Sequence, residues 1–354
     1  MLPVTEVHTM KRWTASVVAC LALPVVAQVP PDYGFNFITI GDVGNAAFVG
    51  DINDEHQFRG HGSVNYEYRI AKTEIRTSDW VEFANMARRF QIPLDTALGA
   101  VHWGAGLAID PKTGDEVWVQ FSKASGDWPV AGTSWWAAAT YANWLHNDKA
   151  ETAEAFLTGA YDISTFERDP TTGLFSDQPT RSPGAKYWIP SVDEWMKAAH
   201  YDPTKDGPSQ GGWWQYPNGS DTKPVTGIPG VGETNADLFD IIGPDAWHTP
   251  VGSYPESQSP WGLLDVSGGA SEWTEDWLFP STPSDRVTDG TSIATGLSPM
   301  FDPDLIGQGY IADRPDFRSF KTGLRLASAI PSPAGSICFV VASAAGCIQR
   351  KRSI

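Results

Sequence analysis

The chain has 354 residues, of which 25 are Lys or Arg and 42 are Asp or Glu, so its formal net charge is −17. A surface this acidic repels phosphate, which argues against a nucleic-acid binder and against docking on anionic membranes. The hydrophobic content of 41%, with 16 Trp and 16 Phe, suffices for a sizeable core and excludes a disordered chain.

The first 27 residues have the pattern of a secretory signal peptide. The basic pair Lys11-Arg12 precedes an apolar run, 15–27, that ends in small residues before Gln28. This run is too short for a permanent membrane helix, and its small terminal residues suit a cleavage site. We therefore assign 1–27 to a signal peptide and expect signal peptidase as a partner. The alternative is a buried N-terminal helix.

The central part combines short strands with long irregular connections. Residues 35–40 and 66–70 have the aromatic and β-branched content of strands, and the second segment alternates with period two. No internal repeat is present.

Three helices can be predicted from caps and apolar spacing. Thr77 or Ser78 is expected to cap the first helix, and Ser134 precedes the second. Ser191 and Glu194 form the pattern of a capping box at the start of the third helix. The residues expected on their buried faces are Trp80, Phe83, Ala84, Ala87, Ala138, Tyr141, Ala142, Leu145, Trp195, Ala198 and Ala199.

An aromatic loop follows the third helix. Trp213, Trp214 and Tyr216 are flanked by glycines and a proline, so they could present a stacking platform to a sugar. The alternative is that the three rings pack beneath the loop, and their solvent exposure distinguishes the two interpretations.

The three cysteines of the chain all lie in its terminal segments, at Cys20, Cys338 and Cys347. A domain over 28–329 therefore has no thiol. It contains no disulfide, no cysteine metal ligand and no cysteine nucleophile.

The last 25 residues have the composition of a sorting tail. A Pro-containing stretch, 330–333, precedes a short apolar segment, 337–348, which is closed by the basic cluster 350–352. This order resembles the bacterial PEP-CTERM tail, although Ser332 stands where that family usually has Glu. The resemblance implies processing by an exosortase-like partner and a periplasmic or cell-surface location. The alternative is a plain C-terminal membrane anchor.

Seven motifs occur in order along the central part. They are ITIGDxGN at 38–45, YRIAKTEI at 68–75, PVxxTSW at 129–135, WIPSxDEW at 188–195, PVGSY at 250–254, GLLDVSGGASEW at 262–273 and TGLRLA at 322–327. Together they resemble the formylglycine-generating, sulfatase-modifying-factor family, in particular its exported PEP-CTERM-tailed members. The resemblance implies one α+β domain over 28–329 with an elaborated C-type-lectin-like fold: small twisted antiparallel sheets, few helices and much ordered coil.

One glycine-rich segment is a candidate calcium site. Asp265 and Glu272 are separated by small residues whose backbone can turn sharply and present carbonyl oxygens, the ligands that calcium prefers. The resemblance implies a calcium site formed by these two side chains and the carbonyls of Gly268 and Ala270. The alternative is a glycine turn flanked by solvated acids.

The resemblance also implies a second calcium site, formed by the side chains of Asn235 and Asp245 and the carbonyls of Ala236 and Trp247. The spacing from these residues to Pro250 is shorter than the family's. Asp245 and Trp247 are therefore the weaker assignments.

The family's enzymes oxidise a cysteine of a client sulfatase, using two cysteines near the C-terminus that bind copper. Copper(I) prefers soft thiolates, and the matching stretch here, 288–325, contains no cysteine. We therefore expect no copper and do not carry the catalytic activity over, because a fold alone does not supply a missing ligand.

Two functions of different classes remain. The first is an exported, non-catalytic and calcium-stabilised binding module, a pseudoenzyme whose ligand is an extracellular polysaccharide or protein. The alternative is an oxidoreductase of the formylglycine-generating type that works through a non-standard metal site. His56 and His61, in an acidic segment, are the nearest approach to such a site.

Overall fold

Few helices and several small sheets make up the fold of this chain. The computed structural model describes residues 29–50, 59–94, 103–289 and 311–330. Within these ranges the expected α+β class, with small sheets joined by long ordered coil, is confirmed. The predicted signal peptide and sorting tail lie outside the described residues, and no described helix has the length and apolar content needed to cross a bilayer.

Five α-helices occur in the described ranges, and two of them are single turns. They are α1 (Thr77–Arg89), α2 (Trp135–His146), α3 (Glu154–Leu157), α4 (Val192–His200) and α5 (Phe239–Ile242).

Of the two predicted caps, the one at the third helix is confirmed, and Ser134, predicted only to precede the second helix, caps that helix as well. The Ser134 hydroxyl accepts the Ala137 N–H at 3.1 Å, and the capping box of Ser191 and Glu194 is complete at the start of α4. The prediction for α1 was wrong, because this helix begins after Arg76 with no side-chain cap.

The strands are short and numerous. They are β1 (Ile38–Ile40), β2 (Tyr68–Ile70), β3 (Ala105–Ile109), β4 (Glu116–Gln120), β5 (Glu167–Arg168), β6 (Phe175–Ser176), β7 (Tyr187–Trp188), β8 (Tyr201–Gly207), β9 (Gln210–Trp213), β10 (Ser271–Trp277), β11 (Arg286–Asp289), β12 (Ile311–Asp313), β13 (Thr322–Gly323) and β14 (Ala327–Ser328).

Two sheets have four strands each. The first has the order β1-β2-β14-β7 and the second the order β12-β11-β10-β13, while three further pairs form two-stranded sheets. Among the strands given above, every pairing is antiparallel except that of β10 with β13, which is parallel. Because β14 lies between β2 and β7, the C-terminal end of the domain is held in the centre of the first sheet.

The main core lies between the helices and the first sheet. All of the residues predicted on buried helix faces are buried. Helix α2 is buried on nearly all sides, and its Tyr141 contacts Phe83 of α1 with ring centroids 4.9 Å apart. Large aromatic side chains therefore join helices that have few residues.

Candidate functional site

A buried ion pair lies at the centre of the glycine-rich segment. The guanidinium of Arg325 donates to both oxygens of Glu272, with Nη2–Oε1 at 2.8 Å and Nε at 3.0 Å from each oxygen. Both side chains are 1% exposed. The indole N–H of Trp195 donates to Glu272 Oε2 at 2.6 Å, so each carboxylate oxygen has more than one donor.

Arg325 also connects segments that are distant in sequence. Its remaining N–H groups donate to the carbonyls of Ala71 and Leu264 at 3.0 Å and to that of Asp265 at 3.3 Å. The guanidinium thus joins the coil after β2 to the glycine-rich segment.

Asp265 is held at the entrance of this segment. Its backbone is left-handed, with φ +57°, and its Oδ2 accepts the Gly252 N–H at 2.6 Å. Burial raises the pKa of Asp265 above its ordinary value. Two charged groups also act on the pKa of this carboxyl: Arg325 lowers it and Glu272 raises it.

Glu74 is a member of this cluster that the sequence reasoning missed. Its Oε1 accepts the Ala270 N–H at 2.6 Å, whereas its buried Oε2 accepts no hydrogen bond within the described residues. Burial, followed by the charge of Glu272, raises the pKa of Glu74 well above its ordinary value. The only sequence signal was its place in the YRIAKTEI motif, immediately before the apolar Ile75.

Glycine is required at Gly268 and Gly269 because neighbouring side chains approach the backbone closely at both positions. A Cβ at Gly269 would lie 2.4 Å from Glu74 Oε2, and one at Gly268 would lie 2.0 Å from the Asn235 side-chain oxygen. Both glycines also have positive φ. A larger residue at either position would displace the carboxylate or the amide.

The acidic side chains of this cluster suit a calcium ion, but only some of their oxygen atoms are free to bind one. Three carboxyl groups, Glu74, Asp265 and Glu272, share one guanidinium, that of Arg325; burial favours the neutral forms of Glu74 and Asp265, and the cluster would carry surplus negative charge once they ionise beside a bound cation. However, both oxygens of Glu272 are already bonded, and an ion at Glu272 would have to displace Arg325. In the described part of the chain, no three or more Cys, His, Asp or Glu side chains are arranged to hold a metal ion.

The Asn235 side chain belongs to the same turn rather than to a separate place in the fold. Its Oδ1 accepts the Gly269 N–H at 2.8 Å, and the residue is buried. The carbonyl of Ala236 accepts the Thr226 hydroxyl at 2.9 Å. Of the second predicted calcium site, Asn235 therefore lies at the same glycine turn as the first site, with Ala236 next to it in the chain.

Asp245 and Trp247 lie in a different environment. The side chain of Asp245 is 84% exposed and faces His248 at 3.7 Å. Trp247 stacks on Phe239 and Trp103, with ring centroids 5.1 and 5.9 Å apart. A calcium site that included Asp245 would be largely solvated, in contrast to buried Asn235.

The rings predicted as a sugar platform are largely covered. Trp213 contacts Tyr201 and Phe48 with centroids 5.2 and 5.9 Å apart, and its indole N–H donates to the Ala46 carbonyl at 3.2 Å. Tyr216 is 9% exposed. These two rings pack beneath the loop.

Trp214 is only partly accessible. Its indole N–H donates to Asp202 at 3.1 Å, and the ammonium of Lys205 lies 4.1 Å from the centroid of its ring. One face is therefore occupied by a cation, which leaves little of the predicted platform for a sugar.

A second ionic cluster surrounds Arg181. Its guanidinium donates to Glu194 at 2.9 Å and to Glu275 at 3.0 Å, and it lies over the ring of Trp188 at 4.2 Å. Glu275 also accepts the Tyr161 hydroxyl at 2.8 Å, and burial raises the pKa of Glu275 to about 7. Glu194, predicted only as a capping residue, therefore also binds a cation.

Of the two histidine candidates, only His61 lies among the described residues. His61 Nδ1 lies 2.9 Å from Asp193 Oδ1, and this hydrogen bond raises the pKa of His61. His56 lies outside the described residues.

Comparison with known proteins identifies the family of this chain. Residues 41–330 match the sulfatase-modifying factor enzyme 1-like domain family. One similar solved structure is CarF, at 19% identity; the match covers 83% of this chain and 98% of CarF, with a TM-score of 0.47. Another is Treponema denticola variable protein 1, at 16% identity; the match covers 82% of this chain and 94% of that one, with a TM-score of 0.42. The structure of PvdO from Pseudomonas aeruginosa is also similar, at 16% identity; the match covers 83% of this chain and 90% of that one, with a TM-score of 0.43. No curated protein matches this chain. Since the family match spans most of the chain, the chain belongs to the family of sulfatase-modifying factor enzyme 1-like domains.

Proposed function

We propose that this chain is an exported, non-catalytic member of its family that acts as a binding module in the periplasm or at the cell surface. The observation that carries the proposal is that no cysteine occurs between Val29 and Ile330. The family's oxidation of a client cysteine requires two copper-binding thiolates, and no other side chain supplies a soft anionic sulfur. The ligand is proposed to be an extracellular polysaccharide or protein, and the export and sorting machinery are the other proposed partners.

The proposal is tested on the full chain exported from a bacterial host. We expect the mature protein to begin at Gln28 and to contain neither copper nor iron in stoichiometric amount. It should consume no oxygen with a cysteine-containing peptide, while a family enzyme with both cysteines, assayed in parallel, should do so. Stoichiometric copper or iron together with peptide-dependent oxygen consumption would favour the oxidoreductase alternative instead.

We further propose that calcium stabilises this domain at the glycine turn. The support is the surplus of buried carboxylate there, and above all the Oε2 atom of Glu74, which has no donor among the described residues. A buried anion without a partner is costly, so a nearby cation would lower the free energy of the folded state. The guanidinium of Arg325 donates hydrogen bonds to the carboxylate of Glu272, so the carboxylates of Glu74 and Asp265 are the ones open to calcium.

Chelation should therefore lower the melting temperature. A ligand at one hundred times its Kd stabilises the folded state by about 2.7 kcal/mol, and this contribution disappears when calcium is removed. Asp265→Ala should abolish the calcium-dependent part of the melting temperature, whereas Asp240→Ala, which removes an exposed acid from α5, should retain it. Identical melting curves with calcium and with excess chelator would refute calcium stabilisation.

A further inference from the structure

The hairpin of β3 and β4 has one edge that is covered by a helix. The Asn85 side chain accepts the N–H of Trp118 at 2.7 Å and donates to its carbonyl at 2.9 Å. Arg88 Nε donates to the Glu116 carbonyl at 2.8 Å. Both Asn85 and Arg88 belong to α1, so this helix occupies the outer edge of β4.

The other edge of the hairpin, that of β3, is open. In an antiparallel pair, two residues directly opposite each other either exchange hydrogen bonds or both point their backbone groups away. Leu107 lies opposite Trp118, and Ile109 lies opposite Glu116. Since Trp118 and Glu116 bond to α1, the backbone groups of Leu107 and Ile109 point away from β4. Within the described part of the chain, no residue hydrogen-bonds to the N–H or C=O of Leu107 or Ile109.

Nothing on β3 hinders the approach of another strand. Its sequence is AGLAI, with no charge, proline or bulge, although 19% of the residues in the chain are charged. Leu107 and Ile109 are 47% and 62% exposed. Natural sheets protect their open edges with lysine, proline or bulges, so an unprotected apolar edge indicates a place for a further strand.

A second copy of β3 matches this edge in an antiparallel arrangement. When Leu107 of each copy lies opposite Ile109 of the other, each pair exchanges both of its backbone hydrogen bonds, and the apolar side chains lie side by side. Ala108 then meets Ala108 of the other copy on the two-fold axis, where a small side chain suits the closer spacing of a non-bonded pair. Asp110 faces Gly106, so the arrangement opposes no like charges along the strand.

We propose that this chain forms a two-fold symmetric dimer in which β3 pairs antiparallel with β3 of a second copy. The same strand serves both sides of the contact, as a closed two-fold interface requires. A single strand edge buries little area, and the net charge of −17 makes the copies repel each other. We therefore expect a weak dimer that becomes tighter as salt screens this repulsion.

Sedimentation velocity of the exported full chain over a concentration series tests the inference. Leu107→Pro removes an N–H that β4 does not use and keeps an apolar side chain, so it should raise the dimer Kd at least about tenfold. Ile109→Lys should do the same, because it places a charge on the open edge. Val231→Lys adds the same charge at another exposed β-branched residue and should leave Kd unchanged.

Hydrogen exchange of the wild type locates the contact without any substitution. The amides of Leu107 and Ile109 should exchange more slowly at concentrations that favour the dimer, because only the dimer bonds them. A chain that stays monomeric throughout the series, at low and at high salt, would overturn the inference. A dimer that Leu107→Pro and Ile109→Lys leave unchanged, in variants that melt like the wild type, would also overturn it.

Discussion

Replacing Arg325 by Met should abolish folding or lower the free energy of unfolding by about 3–5 kcal/mol, the cost of leaving a buried charge without its partner. Glu272 would lose its guanidinium donors while staying buried, and the carbonyls of Ala71 and Leu264 would each lose a donor. Urea unfolding followed by tryptophan fluorescence measures the change.

Two further variants make this prediction specific. Arg325→Met/Glu272→Gln should be more stable than Arg325→Met alone, because neutralising Glu272 removes the unpaired charge that causes the loss. Arg76→Met breaks the part-exposed pair with Asp79 and should cost no more than about 1 kcal/mol. Equal losses for Arg76→Met and Arg325→Met would contradict a special role for the buried pair.

Replacing Asn143 by Leu should lower the free energy of unfolding by about 3 kcal/mol, since three hydrogen bonds of roughly 1 kcal/mol each are lost inside the core. Its amide donates to the carbonyls of Phe156 and Tyr161 at 3.0 and 2.8 Å and accepts the Tyr161 N–H at 2.8 Å. Leucine has a similar size, so the loss would report hydrogen bonding rather than a cavity. Thermal and urea unfolding measure it.

A matched substitution exists on α1. Asn85 makes the same kind of side-chain bonds to the backbone of Trp118, at 2.9 and 2.7 Å, in a part-buried position. Asn85→Leu should cost about 1 kcal/mol, because water can replace the lost bonds. A loss as large as that of Asn143→Leu would show that burial is not what makes Asn143 important.

Much of the local structure could be predicted from residue patterns. The caps at Ser134 and Ser191 and the buried helix faces are properties of neighbouring residues, so spacing alone located them. The cap expected at Thr77 failed because the helix begins one residue earlier than predicted: Thr77 is already its first helical residue, and Arg76 holds the N-cap position.

The candidate sites could be predicted only in part. The sequence identified Asp265 and Glu272 as a carboxylate pair near glycines. It contained no sign that Arg325 would form an ion pair with Glu272, or that one oxygen of Glu74 would be left without a hydrogen bond from the described residues. Likewise, the covered faces of Trp213 and Trp214 depend on residues from other segments.

By itself, the sequence determined the family through seven ordered motifs, the α+β class, and the absence of thiols from 29–330, because these depend only on which residues are present and how they are spaced. Only the tertiary structure decided that the guanidinium of Arg325 pairs with the Glu272 carboxylate and that Asn235 joins the same glycine turn. The reason is physical: burial and hydrogen-bond partners are set by contacts between residues far apart in the chain, and these have no local pattern in the sequence.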